Sequence, residues 1–208
     1  MASRPARKVG LVDLGIASFS PGDQVESGDL SVAQCTPDRA LLAAIDGIGH
    51  GKVAAEAARV AAATLESFAG GSLVDLVQKC HEALRTTRGV VLSLALMDFQ
   101  LRTLTWLGIG NVQGVLIRSA TSEHKGDHAL LLRSGVVGSR IPVLQTTTLS
   151  ISRGDTLAFA TDGIRSEFSE DLFTHDTPQR SADKILAKHC KGNDDALIFV
   201  ARFMGEPQ

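Results

Sequence analysis

Three short stretches of the chain place aspartate where an apolar run ends or begins. "LLAAIDGIGHG" reaches Asp46 and then Gly47; "LAFATDGI" reaches Asp162 and then Gly163. "GNDDALIFV" sets Asp194 and Asp195 at the head of a third run. An aspartate at a strand end is carried by a rigid, buried element yet points out of the core. The glycine that follows lets the backbone turn sharply and leaves its carbonyl uncovered. Carboxylates and backbone carbonyls on stiff supports are the donors that hard cations take. A set made only of oxygen donors favours Mg²⁺ or Mn²⁺ over zinc or copper. Two such ions, about 3.5–4 Å apart, can share a carboxylate and activate one bridging water for in-line attack on phosphorus. No nucleophilic side chain is then required. Asp-Gly is also a common turn pair, so each stretch taken alone reads more readily as a turn. The three are far apart in the chain, and they form a site only if the fold gathers them.

The elements that must do so can be read coarsely. "KVGLVDLGIASF" (8–19) predicts a strand, and "SPGDQVESGD" (20–29) a turn-rich loop. "LSVAQCT" and "RALLAAID" predict two strands joined in a hairpin at "PD". From Lys52 to Phe68, Val53, Ala57, Val60, Ala61, Leu65 and Phe68 recur at helical spacing. The many alanines there imply close packing on a flat partner. Leu73, Leu76, Val77, Cys80 and Leu84 mark a second amphipathic helix, ended by Gly89. Short strand-like runs follow from 90 to 162, then helix at Ser166–Phe173 and Pro178–Cys190, and a last buried strand at 195–203. Strands, two helices, many strands, more helix and a final strand make an α+β protein, antiparallel sheets covered by helices. If two sheets stack, one helical pair would cover each side.

Composition sets outer bounds. The 208 residues are 44% hydrophobic and 21% charged, enough for one sizeable core and a single domain over 1–208, with residues 1–7 as a tail. A net charge of −2 gives no basic field for nucleic acid or a membrane surface. Cys35, Cys80 and Cys190 form no CxxC pair, which argues against a zinc knuckle and for small apolar side chains in a reducing, cytoplasmic setting. The N-terminus is basic and then apolar like a signal peptide, but Asp13 interrupts it. The strongest apolar run, Gly89 to Met97, falls far short of the ~20 residues of a membrane span.

Taken in order, "AAIDGIGHG", "FATDGIRSEF" and "GNDDALIFVARF" resemble the metal-dependent protein phosphatase family (PPM, or protein phosphatase 2C). "ESGD" at 26–29 fits the family's early acidic motif, and "WLGIGNVQGVLIR" at 106–118 its central strand pair. The resemblance covers nearly the whole chain. It is nearest the bacterial SpoIIE- and RsbU-like branch, and within it the free-standing stressosome phosphatases of the RsbX type. It implies a four-layer α/β/β/α sandwich of two antiparallel sheets flanked by helices. It also implies two Mn²⁺ or Mg²⁺ ions and hydrolysis of phosphoserine or phosphothreonine by metal-activated water. The implied partners are phosphorylated stressosome proteins of the RsbR and RsbS kind, in resetting a general stress response. By resemblance, Asp46 would bridge both ions and the Gly47 carbonyl would bind the first. Asp162, Asp194 and Asp29 would bind the second. Asp195 stands where many relatives have Asn, and Asn111 would support the sheet or the site indirectly.

Two positions depart from the family pattern. Ile48 stands where many eukaryotic relatives have a histidine proposed as general acid, while His50 lies two residues further on. His50 is either that acid, if the loop turns it inward, or a solvated, helix-capping residue. The phosphate-clamping arginine before the early acidic motif is replaced near Gln24 and Val25. Arg165 is either its substitute or a surface residue. Two other classes compete. A catalytically inactive phosphatase fold could serve as a binding scaffold. A nucleotide-binding module is echoed by Gly47, Gly49 and Gly51, but GxGxxG needs glycine where Lys52 stands, and no βαβ unit follows.

Overall fold

A computed structural model describes residues 7–22 and 26–205 of the chain. In chain order the elements are β1 (Arg7–Val9), β2 (Val12–Phe19), β3 (Asp29–Cys35), β4 (Arg39–Gly47), α1 (Gly51–Glu66), α2 (Leu73–Ala83) and β5 (Val90–Asp98). There follow β6 (Thr103–Ile109), β7 (Gln113–Ile117), β8 (His128–Ala129), β9 (Leu132–Arg133), β10 (Thr147–Ser150) and β11 (Thr156–Ala160). A 3-10 turn at Ser166–Asp171, α3 (Pro178–His189) and β12 (Ala196–Phe203) complete the series.

The strands form two sheets. One has the order β1-β2-β12-β11-β7-β8; the other runs β10-β6-β5-β4-β3, with β9 added beside β6. Every pairing between named strands is antiparallel except the two-residue contact of β9 with β6. Strand β4 shows why the sheets stack. Its residues are apolar on both faces because both faces are covered. Ala40, Leu42 and Ala44 pack with Phe159, Phe199 and Trp106 between the sheets. Leu41, Ala43 and Ile45 pack on the other side with Ala57, Ala58, Ala61, Leu76 and Val77 of the two helices. The small alanines bring α1 hard against the sheet, so that a Cβ on Gly47 would lie 2.2 Å from the Ala54 carbonyl oxygen. On the outer face of the first sheet, Ala158, Ile198 and Val200 pack with Phe168, Ala182 and Ile185.

The result is the α+β, four-layer sandwich with two antiparallel sheets inside. Several local readings need correction. The strand expected over 8–19 is a hairpin, because Gly10 takes φ +59° and turns the chain between β1 and β2. The helix expected at Ser166–Phe173 is a 3-10 turn over Ser166–Asp171, closed by bonds such as Phe168 N–H to the Arg165 carbonyl. The first sheet is therefore covered by α3 and this turn, not by a pair of α-helices. "HALLLRSG" supplies only the two-residue strands β8 and β9. Cys80 is buried, whereas Cys35 and Cys190 are partly exposed, and none of the three forms a disulfide.

Candidate metal centre

The β3–β4 hairpin places Asp29 directly opposite Asp46. Opposed residues of an antiparallel pair share a face, so two carboxylates stand side by side at the end of the second sheet. The first sheet brings its own. Asp162 follows β11 and Asp194–Asp195 precede β12, and these strands are hydrogen-bonded neighbours. Because the sheets stack, the two sets meet across a cleft of about 610 Å³. Its lining includes Asp29, Asp46, Gly47, Asp162, Asp194 and Asp195, with His50 and Asn111 also on the wall.

Hydrogen bonds between the sheets fix this meeting. Thr161 Oγ1 donates to Asp29 Oδ2 at 2.6 Å and accepts from Leu197 N at 2.8 Å. Gly28 N donates to Asp195 Oδ2 at 2.7 Å, and Gly47 N donates to the Gly28 carbonyl at 3.0 Å. Asp195 N donates to Asp194 Oδ1 at 2.9 Å. Asn111 Nδ2 donates to Asp162 Oδ2 at 2.9 Å, and Lys191 Nζ donates to the Asp162 carbonyl at 2.6 Å. Close approach demands glycine after the aspartate: a Cβ on Gly163 would lie 2.0 Å from the Asp195 carbonyl oxygen.

The electrostatics follow from crowding of like charge. Burial, then the Asp46 charge, pushes Asp29 up to about 8, against the opposing hydrogen bond from Thr161; Asp195 and Asp162 add smaller upward pushes. Burial, then the charges of Asp162, Asp194 and Asp195, pushes Asp46 up to about 7. Asp195 is 5% exposed, and its Oδ1 is buried without a hydrogen-bond partner. An orphaned buried carboxylate oxygen is costly. A divalent cation would relieve both the repulsion and the orphan, and the donors are the hard oxygens such a cation takes. The residues therefore fit Mg²⁺ or Mn²⁺. Among the described residues, no three acidic, His or Cys side chains already converge to ligating distance, which like-charged carboxylates resist by mutual repulsion.

Asp29, Asp46, Gly47, Asp162 and Asp194 thus line one cleft, together with Asp195. Of the two adjacent aspartates, Asp195 is the buried one and Asp194 the exposed one. Asn111 supports the site indirectly, through its hydrogen bond to Asp162. His50 lines the cleft as the N-cap residue of α1, exposed and making no side-chain capping bond. Arg165 does not join them. It is exposed at the start of the 3-10 turn, and its Nη1 reaches the Lys188 carbonyl at 3.4 Å. Gln24 and Val25 lie outside the described residues. Sequence reasoning missed Thr161 and Gly28, which join the two sheets. The only signal for either was its position beside an aspartate, in "ATDG" and "SGD".

Residues 36–204 match the family described as Stage II sporulation protein E (SpoIIE). The chain is 26% identical over 167 residues to phosphoserine phosphatase RsbX of Bacillus subtilis (strain 168), which spans 78% of this chain and 80% of that protein. One solved chain comes from work on the bacterial stressosome as a modular system adapted to control secondary messenger signalling. It superimposes with a TM-score of 0.84 at 29% identity, over 92% of this chain and 99% of its own. RsbX in complex with magnesium gives a TM-score of 0.83 at 18% identity, over 95% of this chain and 98% of its own. The chain belongs to the SpoIIE-type family of protein phosphatase 2C enzymes, the protein serine/threonine phosphatases.

Proposed function

We propose that the chain is a Mg²⁺- or Mn²⁺-dependent phosphatase of phosphoserine and phosphothreonine in stressosome-type proteins, acting as one catalytic domain in the cytoplasm. The observation that carries the metal requirement is the pairing of Asp29 and Asp46 against Asp162, Asp194 and Asp195 with its unpartnered Oδ1. The substrate class is supported by the likeness to a phosphoserine phosphatase and to a chain from stressosome work. Its partners would be phosphorylated proteins of the RsbR and RsbS type. Among the described residues, no helix is long and apolar enough to cross a membrane.

Bound divalent ions supply a nucleophilic water at neutral pH and charge neutralisation at the phosphoryl oxygens. In this reading Asp46, the Gly47 carbonyl, Asp162, Asp194 and Asp29 would hold the ions. Asn111 orients Asp162 by its hydrogen bond, in the way outer partners orient metal ligands. Thr161 does the same for Asp29. In this reading His50, on the cleft wall, would give a proton to the departing seryl or threonyl oxygen.

The deciding experiment incubates the protein with a phosphorylated RsbS- or RsbR-like protein, with and without Mn²⁺, and follows phosphate by intact mass. Metal-dependent loss of phosphate is the expected result. Asp46→Asn and Asp162→Asn should each cut turnover by at least about 100-fold, since several kcal/mol of charge stabilisation goes with the metal. Full activity in both variants would sink the reading. Metal binding without turnover in the wild type would instead favour the scaffold role.

A further inference from the structure

The loop between α2 and β5 carries a guanidinium that the proposed mechanism leaves without a task. Arg88 is exposed, and a Cβ built on Gly49 would lie 3.0 Å from its Nη1 and 3.8 Å from its Cδ. Gly49 lines the cleft, so the Arg88 side chain runs along the turn that follows Asp46. The turn that bears it is well fixed. Thr87 Oγ1 donates to the Leu84 carbonyl at 2.8 Å and accepts from Gly89 N at 3.0 Å. Gly89 takes φ +80°, and its carbonyl accepts from Ile48 N at 3.0 Å, tying the Arg88 turn to the Asp46 turn. A Cβ on Gly89 would lie 2.4 Å from the Val137 carbonyl oxygen, so the turn is packed from behind.

Three other cations of this region are already engaged. Lys191 holds the Asp162 carbonyl, Arg165 faces the Lys188 carbonyl, and Arg59 pairs with Glu26 at 2.7 Å. Arg88 has no hydrogen-bond or ion-pair partner among the described residues. It lies against Gly49, a wall residue of the cleft that five aspartates line, and pairs with none of them. A guanidinium presents N–H groups in a planar fork that matches phosphate oxygens two at a time. A phosphate monoester entering an acidic cleft needs positive charge on the oxygens that face away from the carboxylates.

We propose that Arg88 binds the phosphoryl group of the substrate, donating from its guanidinium to those outward oxygens and orienting the group over the aspartates. This deepens the phosphatase reading and rests on it. Arg88 takes the task for which Arg165 is misplaced, from a loop far from either in sequence.

Inorganic phosphate binding to the full chain in saturating Mg²⁺, measured by calorimetry, tests the assignment apart from turnover. Arg88→Ala should weaken phosphate binding about 10- to 100-fold, the usual effect of losing a charge-assisted pair, and leave Mg²⁺ binding unchanged. Arg88→Lys should recover part of it, and Arg85→Ala, on the same loop, should match the wild type. With a phosphopeptide, Arg88→Ala should raise KM in parallel with the phosphate constant. Equal phosphate affinity in the wild type and Arg88→Ala, or no phosphate binding to the Mg²⁺-loaded wild type, overturns the assignment. A wild type that binds phosphate through Arg88 but turns over no phosphoprotein upholds the assignment and overturns the phosphatase reading instead.

Discussion

At the scale of single residues, the site is defined by protons as much as by distances. Asp29 and Asp46 are pushed up to about 8 and about 7, while the unfolded chain releases such protons near pH 4. The folded, metal-free protein therefore holds protons that the unfolded chain has lost. By linkage this contribution to stability is complete below about pH 4 and is lost as pH rises through the folded values. In chelator, the melting temperature should fall between about pH 5 and pH 8. Asp29→Asn should flatten that fall, and an unchanged slope in the variant would count against the assignment. The place of the cleft aspartates was legible in the sequence for Asp46 and Asp162, where an apolar run stops at Asp-Gly, and for Asp194, just ahead of such a run. The burial of Asp195 was not legible. Two adjacent aspartates look alike in one dimension, and only the bond from Gly28, on the other sheet, decides which turns inward. Arg165 stayed open between a phosphate substitute and a surface residue for the same reason: the direction of a side chain leaving a turn is set by the turn, and a 3-10 turn aims it at α3.

At the scale of elements, the strands are read correctly wherever packing and pattern agree. β4 and β5 are continuous apolar runs because both faces are buried, and α1 shows its alanines on the packed side. The misreadings fall where a local feature overrides the pattern. A glycine at positive φ splits the first strand, and six residues are too few to sustain the helix expected after Arg165. Element junctions also carry the most exacting steric demand. Gly163 sits in a gap closed by the Asp195 carbonyl at 2.0 Å and the Ala196 Cβ at 2.7 Å from any added methyl. Gly163→Ala must push β11 from β12 at the point where both deliver aspartates. It should cost roughly 2 kcal/mol or more in urea denaturation and weaken Mg²⁺ binding in calorimetry. A variant of wild-type stability would show that the junction yields more easily than its packing implies.

At the scale of the whole molecule, the site belongs to neither sheet. Asp29 and Asp46 come from one and Asp162, Asp194 and Asp195 from the other. A cation that binds the folded cleft and not the unfolded chain should stabilise the entire fold. Mg²⁺ at about 100 times its dissociation constant should add about 2.7 kcal/mol, read as a rise in melting temperature that Asp46→Asn abolishes. The order of motifs along the chain reveals which segments matter, but the stacking that joins them is the work of large side chains such as Trp106, Phe159 and Phe199 between the layers. No spacing rule in the sequence expresses that contact.

The bonds from Thr161 to Asp29 and from Gly28 to Asp195 give the molecule a seam. Whatever loosens this end of the sandwich parts the aspartates before it unfolds either sheet. Catalytic competence then reports the fit between layers, and a partner that grips only one layer could silence or sharpen the enzyme without entering the cleft. Hydrogen exchange at Gly28, Gly47 and Leu197, with and without Mg²⁺, would follow that seam as it opens and closes.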